Sequence, residues 1–426
     1  LITQNNQEPT AARKPLLKFV RAFGDNETRP PVIAIESAAI TSPMKAVSGH
    51  INITIDVLHN IPPSLYVEFV HCDANWQETE NTFIQDPAQM RTSMIDWTYA
   101  PSNATYYSHR GHIRIPNSRI KFKFGGNWKA KFYLYSDDND KPFAEARFFV
   151  VDPKASAKMA ISTEFYEPEF NVTKTGLTIQ TFVKSDADLI DHRMNTTVIY
   201  RNHRWHEPYV ITEDHEIDKK LWKYRYKPET RLSGFSFEKQ FYLTNLPAEN
   251  EYRVLYMGNP ARFPKTKGAV RLPLSDIIRN GSFMYEDTDG AMLTNFVSPH
   301  NDEYIYVEFM LDPENVLSNE DVFIVGTFTN WELKREWQMY YDRDQKFYLV
   351  RGWVRRGEHS YLYATGSYNH EKDRVENYSY DKYEGNTSRN RHEYLAFVYY
   401  KETERGGYYN LITVGSANID TGFERY

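Results

Sequence analysis

The chain has 426 residues, enough for about three domains at roughly 150 residues each. With 51 basic and 57 acidic residues its formal net charge is -6, which excludes the basic face of a nucleic-acid binder. No run of about 18 apolar residues occurs, so nothing reads as a membrane-spanning helix. Aromatic residues make up 15%, with 32 Tyr and 25 Phe, and such residues favour pleated, half-buried surfaces. Tyrosine also sets an apolar ring and a polar tip where sheets meet water or a partner. The polar opening, Leu1 to Thr10, is expected either of a cytosolic chain or of a mature one whose signal peptide has been removed.

In chain order, residues 1–31 are polar and hold Pro9, Pro15, Pro30 and Pro31; they read as an arm carrying one edge strand, Leu16 to Val20. Strand signals begin at Val32. Ile51 to Val57 alternates strictly, and Leu65 to Val70, His112 to Ile115, Lys131 to Tyr135 and Ala146 to Val151 follow. Turn signals at Pro116-Asn117, Gly125-Gly126-Asn127 and Asp137 to Asp140 separate them. Short strands at this spacing predict a β-sandwich over 32–153. A second sandwich is expected over 157–295, from Gly176 to Val183, Thr196 to Tyr200, Phe241 to Leu243 and Tyr252 to Tyr256, with a closing turn at Asp287-Thr288-Asp289-Gly290. A third is expected over 296–416. It opens at Tyr304 to Phe309 and ends in Tyr394 to Tyr400 and Tyr408 to Val414, which the hairpin signal Glu404-Arg405-Gly406-Gly407 joins. Residues 417–426 form a tail. The predicted class is all-β: three consecutive immunoglobulin-like or fibronectin-like sandwiches.

Few residues suggest chemistry. Cys72 is the only cysteine, so no internal disulfide and no cysteine zinc site can form; beside a strand it reads as a small buried hydrophobe. On a continuing strand, His71 and Asp73 point away from it. The segment Arg201 to His206 holds His203 and His206, too few ligands for a closed metal site, and reads as a solvated loop anchored by Trp205. The acidic runs Asp137 to Asp140 and Asp287 to Gly290 lack the closing glutamate of a calcium loop and read as turns. Asn-x-Ser/Thr triplets at Asn52, Asn103, Asn171 and Asn195 are weak glycosylation signals in so Asn- and Thr-rich a chain. There is no Gly-x-Ser-x-Gly, phosphate loop or His-Glu-x-x-His, so no catalytic residue, metal ligand or cofactor site is assigned and the chain is not expected to be an enzyme. A glycosidase-type carboxylate pair stays open at this point.

Two resemblances add to this. Gly326-Thr327-Phe328-Thr329-Asn330-Trp331, followed by a strand and then Gly357-Glu358-His359-Ser360-Tyr361, resembles an early-set β-sandwich of the glycogen-binding type. Those modules stack sugar on an aromatic that Trp331 matches, but the lysine expected after the second motif is Leu362, and the nearest candidate for their second ring is Tyr368. The second likeness spans nearly the whole chain after Pro31. In order it comprises His71-Cys72-Asp73-Ala74-Asn75-Trp76, Lys121 to Trp128, Tyr200 to Trp205, Asn250 to Val254 and Gly326 to Trp331, and this set resembles the plug protein family of the type IX secretion system. That resemblance implies a periplasmic protein with no cofactor. It would attach peripherally to the membrane by docking on the outer-membrane translocon barrel, and close the periplasmic end of the pore. The alternative it competes with is a carbohydrate-binding protein that uses Trp331 and Tyr368.

Overall fold

The strictly alternating run beginning at Ile51 becomes the heart of the first sandwich. The computed structural model describes residues 14–38, 45–86, 88–136, 141–165, 175–185, 189, 191–235, 238–279, 289–387 and 390–419. Its first nine strands are β1 (Leu16–Phe23), β2 (Val32–Ala34), β3 (Ile51–Leu58), β4 (Leu65–Cys72), β5 (Arg91–Thr92), β6 (Asp96–Tyr99), β7 (His109–Ile115), β8 (Gly126–Leu134) and β9 (Ala144–Val151). They form two facing sheets, β1-β3-β7-β6 and β2-β9-β8-β4-β5. Ile51, Ile53, Ile55 and Val57 point inward and meet Val67, Phe69, Trp128, Phe132 and Phe148 in one core. The described part of the expected arm belongs to this sandwich. β1 pairs with β3 from Leu16 opposite Leu58 to Phe23 opposite Asn52, so it is the edge strand of the first sheet.

The remaining strands are β10 (Ala155–Phe165), β11 (Thr175–Ser185), β12 (Thr196–Arg201), β13 (Tyr209–Thr212), β14 (Glu229–Phe235), β15 (Glu238–Pro247), β16 (Arg253–Tyr256), β17 (Val270–Arg271), β18 (Asp276–Ile277), β19 (Tyr304–Asp312), β20 (Asp321–Gly326), β21 (Gln338–Asp342), β22 (Phe347–Arg355), β23 (Glu358–Asn369), β24 (Arg374–Ser379), β25 (Tyr394–Glu402) and β26 (Tyr408–Ala417), with one short helix, α1 (Asp381–Glu384). The chain is nearly all β, and its sheets pack as sandwiches. Strand pairing, however, does not divide at 295/296. β25 and β26 return to complete the sheet β13-β12-β25-β26, and β16 joins the edge of the nine-stranded path β16-β23-β20-β21-β22-β19-β17. Residues 157–295 and 296–416 therefore share sheets instead of following one another as separate sandwiches. The physical reason is that alternation marks a strand and its buried face, whereas the choice of neighbour is a long-range matter of packing.

The sheet β13-β12-β25-β26 has no solvent face over most of its area. Ile199, Ala396 and Val398 pack towards β11 and β15, with Leu177, Ile179 and Leu243 opposite. Their sequence neighbours Val198, Tyr200, Leu395, Phe397 and Tyr399 point the other way, onto Val151, Phe149, Cys72 and Trp76 of the first sandwich. There the Phe149 and Phe397 rings lie 4.2 Å apart. Two hydrogen bonds fix the register of this interface: Trp76 Nε1 donates to the Tyr200 hydroxyl at 3.0 Å, and the Tyr399 hydroxyl donates to Asn127 Oδ1 at 2.6 Å. β20 is likewise shared. Phe323 and Val325 enter the core beneath β11 and β15, while Val322 and Ile324 enter a core with Val307, Phe309 and Val350.

Cys72 is fully buried in the interface between the first sandwich and this sheet, and burial pushes its thiol up to about 12. It should react with a thiol reagent slowly in the native protein and quickly in denaturant. Phe397→Ala removes the ring that fills the same interface and should destabilise the protein by about 3–5 kcal/mol in urea titrations. The same substitution should speed native labelling of Cys72. Unchanged labelling in that variant would show that this interface does not hold the two bodies together.

Candidate functional site

Trp331 ends a tight turn. After β20, residues Thr327–Thr329 form a 3-10 turn, and Asn330 and Trp331 both take left-handed backbone angles, φ 54° and 58°. That turn drives the indole inward. Trp331 is 2% exposed, its Nε1 donates to the Gly290 carbonyl at 2.9 Å, and its ring lies 4.5 Å from that of Tyr252. Gly290 has φ 78°, and a Cβ there would sit 3.2–3.3 Å from Tyr252 and Trp331, so glycine lets the turn close over the ring. Leu362 is fully buried in the same core. Tyr368 is half-buried on β23, hydrogen-bonded through its hydroxyl to Asp373, with Arg335 5.5 Å from its ring. No ring contact joins it to Trp331 among the described residues. Under the carbohydrate-binding alternative Trp331 would offer a stacking face; the indole is instead a core residue.

The segment Arg201 to His206 is corrected. It is not a solvated loop: Arg201, Asn202 and Arg204 are at most 3% exposed. The Arg204 guanidinium donates from Nε to Glu207 Oε2 at 2.8 Å, pairs with Glu249, and lies 4.6 Å from the Tyr380 ring. Arg201 pairs with the same Glu249. Asn202 Nδ2 contacts the Tyr252 hydroxyl at 2.9 Å and His392 Nδ1 at 3.0 Å. Two arginines and two glutamates thus neutralise one another in the interior, where an unpaired charge is very costly. Proline and loop signals could not reveal this; the only sign is two arginines beside Tyr200 and Trp205.

Two further clusters tie elements together. Burial pushes the Asp56 carboxyl up, but the Arg110 guanidinium, 2.6 Å away, outweighs that and holds it below the usual range. Arg110 also reaches Asp302, which Arg355 grips with two bonds of 2.8 and 2.9 Å, and the Tyr304 hydroxyl donates to Asp56 at 2.7 Å. This network joins β3 and β7 of the first sandwich to β19 and β22. Elsewhere Arg253 Nε donates to Glu384 at 2.9 Å, and the Tyr361 and Tyr363 hydroxyls both donate to Asp276. Among the described residues no group of three or more His, Cys, Asp and Glu is placed to hold a metal ion. His203 instead meets the Thr28 carbonyl at 3.1 Å. Asp137 to Asp140, Asp287, Thr288 and Asn171 lie outside the described residues.

The surface carries its own features. Tyr66 stacks on Tyr133 at 5.2 Å and meets Tyr135, itself 61% exposed, on the outer face of the first sandwich. A cleft of about 460 Å³ opens between β1 and the β19–β22 pair, with Tyr106 and Trp353 stacked at 4.8 Å on its wall. A second cleft, of about 360 Å³, continues on the other side of Met292 and Lys334, which line both.

A scaffold of this kind, with its charge clusters internal and its rings and clefts outside, is an all-β sandwich protein. Residues 25–152 match the family described as type 9 secretion system plug protein 1st domain, and that match supports assigning the chain to the type IX secretion plug family. The family is structural and secretion-related, and it implies association with an outer-membrane component at a periplasmic or outer-membrane-associated location. The match spans β2 to β9. A crystal structure of a hypothetical protein from Parabacteroides merdae ATCC 43184 shares the fold, with a TM-score of 0.71 over 96% of this chain and 98% of that one at 19% identity. No curated protein matches the chain.

Two outcomes follow from this geometry. With Trp331 internal and Leu362 in place of a polar clamp, the protein should migrate through glycogen-containing native gels without retardation. Retardation that Trp331→Phe abolishes would reverse that conclusion. The second outcome concerns acid. Burial pushes the His71 and His359 imidazoles down to about 4. Unfolded histidine titrates near about 6.5, so between these values the unfolded chain binds more protons. The stability of each neutral ring is therefore complete above about 6.5 and is lost as pH falls towards 4, on the order of 3 kcal/mol apiece. Asp56 and Asp302 are held low, so their contribution is lost only at more acid pH. Urea midpoints should fall steadily from pH 7 to 4.5, and less steeply in His71→Asn; equal slopes would remove His71 as a cause.

Proposed function

We propose that this chain is a non-enzymatic periplasmic plug that docks on the outer-membrane type IX translocon barrel and seals the periplasmic end of its pore. The family match over residues 25–152 carries the reading. The architecture supports it physically. A wide aqueous pore is blocked by bulk and stiffness, not by chemistry, and here three sandwiches are locked by a doubly buried sheet and by internal ion clusters. No helix of the described residues is long and apolar enough to cross a membrane, so attachment through a barrel partner suffices to place it. Interfaces that form and release bury moderate area with aromatic and arginine anchors, and the exposed rings of the first sandwich are of that kind.

Purification from outer membranes in mild detergent should recover the chain with a very large barrel protein. Recovery only as a free monomer would count heavily against docking. Deletion of the chain should leave the envelope leakier to large solutes; unchanged permeability alongside retained barrel binding would remove the sealing role and keep the docking.

A further inference from the structure

The two clefts beside β1 form one groove. β1 is the outermost strand of its sheet, and its second edge faces the β19–β22 body. Across the groove, Asn330 Nδ2 donates to the Val20 carbonyl at 2.8 Å and Arg21 Nη1 donates to the Met292 carbonyl at 2.9 Å. These bonds fix the width between the two walls. Leu16 and Leu17 on this edge strand are 53% and 38% exposed, apolar side chains that an edge strand ordinarily replaces with charge.

The charges select the occupant. Lys18 is half-buried with its Nζ 4.4 Å above the Tyr106 ring, and among the described residues it has no carboxylate partner. Arg351 and Arg355 are matched by Glu308 and Asp302. Glu336, at the mouth, is exposed and hence screened by solvent. A half-buried, unmatched cation favours a carboxylate. The rings argue against a sugar, because Tyr106 and Trp353 turn their faces to each other, 19° from parallel, and Tyr306 closes on Trp353 at 5.2 Å. What remains, among the described residues, is a strand edge with its Val20 carbonyl held by Asn330, ring edges, apolar side chains and one cation without a carboxylate partner. Those are the requirements of an extended polypeptide that adds along a sheet edge and places an acidic side chain beside an aromatic wall.

We propose that the groove between β1 and the β19–β22 body binds an extended, acidic segment of the translocon barrel. This assignment rests on the docking reading and gives it a place. The test replaces Tyr106 with the photo-crosslinker p-benzoylphenylalanine in the full chain, in cells, with the same replacement at Tyr135 on the first sandwich as reference. Irradiation should join position 106 to the barrel, and peptide mapping should place the link in an extended acidic segment. Lys18→Glu in that background should reduce the 106 crosslink about tenfold. Among the described residues Lys18 makes no ion pair but sits on the ring at position 106, so a melting curve of the variant is recorded beside the parent's and the crosslinks are compared where both are folded. An undiminished crosslink in Lys18→Glu overturns the proposal. So does a chain that co-purifies with the barrel but links to it from position 135 alone or from neither position; docking itself then stands. A chain that neither co-purifies nor crosslinks with the barrel fails on docking, and the groove assignment goes with it.

Discussion

The sheet β13-β12-β25-β26 is packed on both faces, and most of the molecule follows from that one constraint. A strand in such a sheet cannot alternate polar with apolar, and β25 accordingly runs Tyr-Leu-Ala-Phe-Val-Tyr-Tyr with every one of these residues buried. One face closes the core under β11 and β15; the other receives the first sandwich. The sheet is built from the middle and the end of the chain. The segment between β13 and β25 must therefore fold into a body whose two ends return to the same place. Each large side chain buried here contributes roughly 1.5–3 kcal/mol, so the sheet is both the geometric and the energetic centre.

A doubly buried sheet leaves its ends to be satisfied by polar groups, and the arginine clusters lie there. Arg201 ends β12 and Arg204 lies just beyond it, beside Glu249 and Glu207. Arg110, Asp56, Asp302 and Arg355 bridge the first sandwich to β19 and β22 where no apolar sheet covers the join. Buried pairs of this kind add little net stability over apolar packing, but removing one partner strands a charge. They tie the first sandwich to β19 and β22 through named side-chain pairs.

Much of the fold was legible from pattern. Ile51 to Val57 alternates because one face of β3 lies in the core and the other carries Asn52, Thr54 and Asp56, and the turn dipeptides mark where strands stop. The β25–β26 hairpin was legible from its turn signal, Glu404 to Gly407, and not from alternation. What alternation does not carry is partnership, so nothing in Tyr394 to Tyr400 says that β12, nearly two hundred residues earlier, lies beside it. The arm's edge strand was legible at Leu16 to Val20; it runs on to Phe23, and its pairing with β3 makes it part of the first sandwich. The Arg201 to His206 segment was misread because charge normally means solvent, and the glutamates that neutralise it lie at 207 and 249.

Trp331 shows where motif reasoning stops. The order Gly-x-Phe-x-x-Trp specifies a strand end, a tight turn and a large ring, and all three are present. The motif does not specify which way the ring points. In this chain Asn330 and Trp331 adopt left-handed angles, Gly290 gives room, and Tyr252 with Arg204 closes around the indole. The same residues that would offer a stacking platform at a surface instead tie the turn to the junction of two sandwiches. Next to it, the wall of the β1 groove is lined by other rings, Tyr106 and Trp353, which no motif marks. The clefts on this scaffold thus lie where sandwiches meet and are lined by residues far apart in sequence, not by the short motif that marks one sandwich.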